Sequence, residues 1–217
     1  MPEEVFSAQR AAMVEDQLRR RGIHDERLLD AMRRVPRHEF VNPEQWEHAY
    51  GDHPVVIPEK QTTSQPYIIA AMIQAVEIKP DDRVLEIGAG SGYQTALLAE
   101  LAKQVVAVER YASLSAGAQT RLHGLGYTNA VVVTGDGTLG WLPAATYNAI
   151  IVSAAAPRVP PALLEQLALG GRMVIPIGDA SEQVLQLFRK DLDGAISASM
   201  LEGCRFVPLI GQHGFAA

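Results

Sequence analysis

The stretch Asp82-Arg83-Val84-Leu85-Glu86-Ile87-Gly88-Ala89-Gly90-Ser91-Gly92-Tyr93 constrains this chain more than any other. Its short apolar run, Val84 to Ile87, predicts a strand that ends in Gly88, Gly90 and Gly92, with a helix-compatible stretch directly after. Without a Cβ, glycine turns the backbone sharply and lets a ligand come close to the main chain. The N-terminus of the following helix presents free N–H groups to that ligand. This is a nucleotide-type loop, and the rest of the chain is read around it.

From Arg83 onward strand and helix alternate. Strands are predicted at Val84 to Ile87, Gln104 to Val108, Ala130 to Thr134, Tyr147 to Ser153 and Arg172 to Ile177. Helices are predicted at Gln94 to Ala102, Ser113 to Leu122 and Pro161 to Leu167. Short aliphatic strands separated by helices imply a parallel sheet covered on both faces. After Gly178 the pattern changes: β-like runs at Val184 to Phe188 and Ile196 to Leu201 flank Asp193-Gly194, a hairpin signal, and one more follows at Arg205 to Ile210. The expected architecture is one doubly wound α/β domain over residues 1–217. Its Rossmann-like core covers 61–217 and ends in antiparallel strands, with a helical and irregular segment, 1–60, laid against it.

Within that first segment, Ala11, Val14 and Leu18 fall on one side of a helix from Ser7 to Arg21. Asp25 reads as the N-cap of a second helix, which Pro36 stops. Residues 41–60, with Pro43, Pro54 and Pro58, read as irregular. Gln61-Thr62-Thr63-Ser64-Gln65-Pro66 then places a hydroxyl-rich loop at the N-terminus of a helix whose Ile69, Met72, Ile73 and Val76 repeat at helical period. Proline suits the first turn there, and a side-chain oxygen just ahead of it can cap free N–H groups.

Composition narrows the partners. A net charge of −6, from 19 basic and 25 acidic residues, argues against nucleic acid, whose binding depends on neutralised phosphates. Arg19-Arg20-Arg21 is read as the solvated face of a helix. Cys204 is alone, so no disulfide forms within the chain, which suits a reducing compartment. No apolar run reaches membrane-spanning length and the first residues lack the order of a signal peptide. A cytoplasmic monomer without membrane or metal is expected; the histidines show no metal-ligand spacing.

In open α/β sheets ligands lie beyond the carboxyl ends of the strands. The residues there are the glycine loop, Glu109 and Asp136. Glu109 is placed to accept both hydroxyls of a ribose, and Asp136 to accept from an adenine amine or nearby backbone. The spacing is G-x-G-x-G, not the G-x-G-x-x-G that admits a pyrophosphate, and no lysine follows as in a phosphate-binding loop. A nucleoside cofactor without phosphates is expected, and S-adenosyl-L-methionine is one. Glu86 is placed either to reach that cofactor's amino group through water or to hydrogen-bond the glycine loop.

Beyond these residues the chain resembles the protein-L-isoaspartate O-methyltransferase family. The matching stretches are Val35 to Val41, Gln61 to Tyr67, Val84 to Tyr93, Gly135 to Gly137, Ile150 to Pro157, Gly170 to Pro176 and Arg205 to Leu209. The glycine loop is common to many methyltransferases; the Thr-Ser-Gln-Pro and Arg-Phe-Val-Pro-Leu stretches are far more particular. The resemblance implies a methyltransferase version of the Rossmann-like fold and methyl transfer to the α-carboxylate of L-isoaspartyl residues in damaged peptides or proteins. The ester then closes to a succinimide that reopens partly to aspartate. The family's catalytic hydroxyl falls on Ser64. Cofactor contacts carry over to Gly88, Ala89, Gly90, Ser91, Gly92, Glu109, Arg110, Asp136 and Gly137, with Glu86 beside them. Substrate contacts are assigned to Thr62, Thr63, Ser64 and Gln65, and to Arg205, Phe206 and Val207. Two departures stand out: Asn148, where the family usually has an acid, and Thr138-Leu139, where a more polar pair is common.

The chemistry is consistent with these residues. A carboxylate is already ionised at neutral pH, so methylating it needs no strong base. Orientation alone lowers such a barrier by about 7 to 11 kcal/mol. Ser64 is read as orienting the substrate carboxylate, the alternative being a helix cap. Arg205 to Leu209 is read as exposing a strand edge to a peptide, the alternative being plain sheet edge. Three other functions compete: a methyltransferase for another protein site or a small molecule, an NAD-linked oxidoreductase, and a binding module without turnover. The glycine spacing disfavours the second, and intact Ser64, Glu109 and Asp136 disfavour the third.

Overall fold

A computed structural model describes residues 2–179 and 181–216. The chain opens with α1 (Glu3–Ala12), which runs on through a π-helical turn, Met13–Leu18, and a 3-10 turn, Arg19–Arg21. The helix therefore starts earlier than Ser7. Gly22 ends it at φ 92°, a conformation that costs glycine little. Asp25 caps α2 (Glu26–Arg34), its side chain accepting from the N–H groups of Arg27 and Leu28.

The stretch read as irregular holds two 3-10 turns and then a small antiparallel hairpin, β1 (Val55–Ile57) with β2 (Gln61–Thr63). α3 (Pro66–Ala75) begins with proline at its first position, as expected, but its N-cap is Gln65 and no side chain caps it. Ser64 is therefore not a helix cap.

The central sheet has seven strands in the order β5-β4-β3-β6-β7-β8-β9. β3 (Arg83–Ile87), β4 (Gln104–Glu109), β5 (Ala130–Thr134), β6 (Tyr147–Val152) and β7 (Leu167–Gly178) are mutually parallel. Between them run α4 (Tyr93–Leu101), α5 (Ala112–Gly124) and α6 (Pro161–Gln166). β8 (Gln183–Lys190) and β9 (Ile196–Cys204) are antiparallel, joined through Asp193-Gly194. The strand order reverses between β3 and β6, and that is where a crevice opens.

Two apolar layers flank the sheet. One contains Phe6, Leu18, Met32, Met72 and Leu97; the other contains Ile87, Ile150, Leu163 and Met173. Arg205 to Leu209 departs from the reading as a further sheet strand. After Cys204 the chain leaves the sheet and crosses the strand ends, where Ala155 N–H donates to Val207 O at 2.8 Å and Leu209 N–H to Ala155 O at 2.7 Å. A backbone pairing with the loop after β6 holds it there, not a ladder with β9.

Asn148 holds a backbone donor of the neighbouring strand. Its Oδ1 accepts from Arg83 N–H at 2.9 Å, a bond that needs only a carbonyl oxygen.

Candidate active site

Three adjoining cavities lie beyond the carboxyl ends of the strands. The first, about 540 Å³, is bounded by Gly88, Gly90, Glu109, Arg110 and Gly137, and roofed by Pro208, Leu209 and Ile210. The second, about 320 Å³, lies under the glycine loop and is bounded by Ala89, Ser91, Thr63 and Ser64. The third, about 680 Å³, is a groove between Gln65, Tyr67, Arg205 and Phe206. Thr62 and Ser153 line all three, so the cavities are lobes of one cleft with a hydroxyl-lined waist.

The loop's geometry follows from its glycines. Gly88 and Gly90 have φ of 88° and 53°, which open the main chain toward the first lobe. Gly92, at φ 90°, faces away: a Cβ there would lie 3.1 Å from that of Ala118, so it sets how closely α4 packs on α5. Gly137 leaves room for Ile87, whose Cγ2 a Cβ at that position would strike. Glu109 is buried at the end of β4; its Oε2 accepts from Gly90 N–H at 2.9 Å and its Oε1 from Tyr111 N–H at 3.0 Å. Each oxygen keeps a lone pair for a ligand hydroxyl.

Three of the expected cofactor residues have partners within the protein. Gly92 packs as described. Glu86 is wholly buried between β3 and α4, where Oε1 accepts from Gln94 Nε2 at 3.0 Å and Oε2 shares a hydrogen bond with Thr95 Oγ1 at 2.5 Å. Its carboxyl makes no hydrogen bond to the loop backbone among the described residues and lines none of the three cavities. Burial pushes its carboxyl up to about 8, against those two hydrogen bonds and with a smaller push from Glu109. Asp136 caps the turn at Gly137, accepting from Thr138 N–H and Oγ1 at 2.8 and 2.7 Å, and from Gln212 N–H at 2.8 Å. Burial raises its pKa, but the bonds from Gln212 and Thr138 outweigh that and hold it below the ordinary value. It anchors the C-terminal stretch, accepting from nearby backbone, one of the two roles its position offers. Thr138 explains its own departure from the common pattern, since its hydroxyl also accepts from His213 N–H at 3.1 Å.

The hydroxyl loop is held from behind. Arg37 is fully buried, with no carboxylate partner among the described residues; it donates to Ala49 O, Thr63 Oγ1 and Ser64 O at 2.7, 3.3 and 2.9 Å. Its guanidinium lies 4.8 Å from the centre of the Tyr93 ring. Thr63 Oγ1 thereby gives one lone pair to Arg37 and keeps its own hydrogen. The side-chain hydroxyls of Thr62 and Ser64 make no hydrogen bond among the described residues and face the lobes.

Arg37, Gln94 and Ser153 are the residues that sequence reasoning missed. Ser153 had a signal, since it ends the fourth strand just as Glu109 ends the second. Arg37 had none, because nothing local marks an arginine as buried. Among the described residues, no three His, Cys, Asp or Glu side chains gather to hold a metal, and no helix is long and apolar enough to cross a membrane.

Comparison with known proteins supplies the remaining findings. The family profile described as protein-L-isoaspartate(D-aspartate) O-methyltransferase matches residues 8–214. A Koribacter versatilis protein named protein-L-isoaspartate O-methyltransferase is 52% identical over 211 residues, covering 97% of this chain and 95% of its own. A Syntrophobacter fumaroxidans protein of the same name, numbered 1, is 50% identical over 210 residues, covering 97% and 98%. A solved structure with that name superimposes with TM-score 0.84 at 29% identity, covering 94% of this chain and 67% of that one. A Plasmodium falciparum chain of the same name, crystallised with S-adenosyl-L-homocysteine, gives TM-score 0.78 at 26% identity, covering 93% and 98%.

Proposed function

The chain belongs to the protein-L-isoaspartate(D-aspartate) O-methyltransferase family, and on that premise we propose how its own residues carry out the reaction. It is an S-adenosylmethionine-dependent carboxyl O-methyltransferase that acts on the α-carboxylate of L-isoaspartyl residues, the first step of return to aspartate through a succinimide. When bound, the cofactor supplies an electrophilic methyl group on a sulfonium. The residues suit it: an open glycine backbone, two carboxylate lone pairs on Glu109 for ribose hydroxyls, and space for a nucleoside.

Gly88 and Gly90 let the cofactor lie against the main chain, and Arg110 and Gly137 close the sides of that lobe. Pro208 to Ile210 exclude water above it. Gln65, Arg205, Phe206 and Val207 form the groove that receives the peptide, whose carboxylate reaches the waist at Thr62 and Ser64. A carboxylate leaving water needs donors in compensation. Ser64 provides one and aims the reacting oxygen; it does not attack. Arg37 fixes the backbone that carries Ser64.

One observation carries this reading: the hydroxyl of Ser64, with no partner among the described residues, stands in both the peptide groove and the lobe beneath the glycine loop. Ser64→Ala is expected to lower kcat by about ten- to a hundredfold, the worth of a hydrogen bond to a charged group. Thermal stability should hardly change, because no internal bond is lost. Unchanged turnover with a lowered Tm would assign Ser64 to structure alone. We infer further that the protein works as a cytoplasmic monomer without nucleic acid or membrane; the net charge of −6 and the lone Cys204 support this. A single-chain mass in light scattering is the expected result, and a dimer mass would contradict it.

A further inference from the structure

Ser153 has no part in the assignments above, yet its hydroxyl is held from behind by a side chain of α4. It follows β6 at the reversal of strand order, with its N–H donating to Ile87 O at 2.8 Å, and it lines all three lobes. Behind it lies Gln94 on α4, whose Nε2 donates to Ser153 Oγ at 2.8 Å and to Glu86 Oε1 at 3.0 Å. An amide nitrogen carries two hydrogens, and these two contacts use both. With the Glu86 proton lying in the short contact between Oε2 and Thr95 Oγ1, Oε1 is the carbonyl oxygen, and turning the amide over would set oxygen against oxygen.

The consequence for Ser153 is one of polarity. A serine hydroxyl has one hydrogen and two lone pairs. One lone pair takes the hydrogen from Gln94, so the hydroxyl hydrogen points elsewhere, and it has no acceptor among the described residues. The open side is the waist of the cleft. A carboxylate held there has one oxygen reacting and another that must be satisfied in a half-dry site. Ser64 supplies one donor, and a second is required.

We propose that Ser153 donates that second hydrogen bond to the substrate carboxylate, with Gln94 and Glu86 acting as positioning residues that turn its hydroxyl into the cleft. The assignment rests on the methyltransferase reading given above. A donor that holds the carboxylate before and during transfer acts on binding, so its loss falls on KM more than on kcat.

The test is steady-state kinetics on an isoaspartyl peptide with the wild type, Ser153→Ala and Ser153→Thr, alongside calorimetric titration of each with S-adenosyl-L-homocysteine. Ser153→Ala should raise the peptide KM by about ten- to a hundredfold. Its affinity for S-adenosyl-L-homocysteine should stay within about twofold, and Ser153→Thr, which keeps the hydroxyl, should restore most of the KM. Three results would overturn the proposal: an unchanged KM in Ser153→Ala, a loss of S-adenosyl-L-homocysteine affinity matching the rise in KM, or a threonine variant as impaired as alanine. Failure of the wild type itself to methylate the peptide would overturn the methyltransferase reading instead.

Discussion

Glu86 keeps its proton in a pH range where most glutamates have lost theirs. Burial pushes its pKa from 4.5 in an exposed chain to about 8. Between those values the unfolded chain is ionised while the folded one still holds the proton. The folded state thus binds more protons, and stability falls as pH rises through this window, then levels off above it. Glu86→Gln keeps the geometry, with a carbonyl for Gln94 and an amide for Thr95, and has no proton to lose. The Tm of the variant relative to wild type should therefore climb steadily from pH 5 to pH 8; a constant difference would place the carboxyl outside this account. The same residue marks what could be read from sequence at this scale. Glu109 could be recognised because strand ends face ligands. Glu86 is one residue short of its strand's end, so alternation turns it under α4, and Asp136 is taken up by a tail more than seventy positions away. Such partners are tertiary and leave no local pattern.

At the scale of elements, helices and parallel strands could be read from periodicity to within a few residues, whereas two pieces bordering the cleft could not. The β1–β2 hairpin turns through Glu59 and Lys60 at φ of 60° and 56°. Neither residue is the glycine or asparagine that announces such a turn. Its strands are three residues each, too short to show alternation. The stretch after Cys204 has the composition of a strand, and only its pairing with Ala155 shows that it is a strap over the cofactor lobe. Gly211 tests that strap. A Cβ there would run into the Asp136 carboxylate, so Gly211→Ala must push the tail away and break the bond from Gln212 N–H. We expect affinity for S-adenosyl-L-homocysteine to fall by about tenfold as the strap moves off the lobe, with Tm lowered by the loss of that internal bond. An affinity within twofold of wild type would show that the strap does not bear on the cofactor lobe.

For the whole molecule, we propose that residues 1–60 and 61–217 form one cooperative unit. A single apolar layer runs from Phe6 and Leu18 through Met72 and Leu97 to Val174 and Leu185. Phe6 stacks on His38 at 3.7 Å, and Arg10 and His38 both bond the Tyr50 hydroxyl, at 3.2 and 2.8 Å. Removing the first segment would expose that layer and release Arg37 from the hydroxyl loop. Scanning calorimetry should give one transition, with calorimetric and van't Hoff enthalpies equal; two resolved transitions would divide the chain. The general architecture was legible because aliphatic runs alternate with helices. How the first segment locks the active site was not, since Arg37 and Ser64 meet only in three dimensions. We propose that the glycine loop holds the cofactor, while the hydroxyl-lined waist beside it selects the acceptor. Labelled methyl transfer from S-adenosylmethionine to a peptide containing L-isoaspartate, set against the same peptide containing aspartate, tests that division directly. Label should appear on the isoaspartyl peptide and not on its aspartyl twin; equal labelling of both, or of neither, would contradict it.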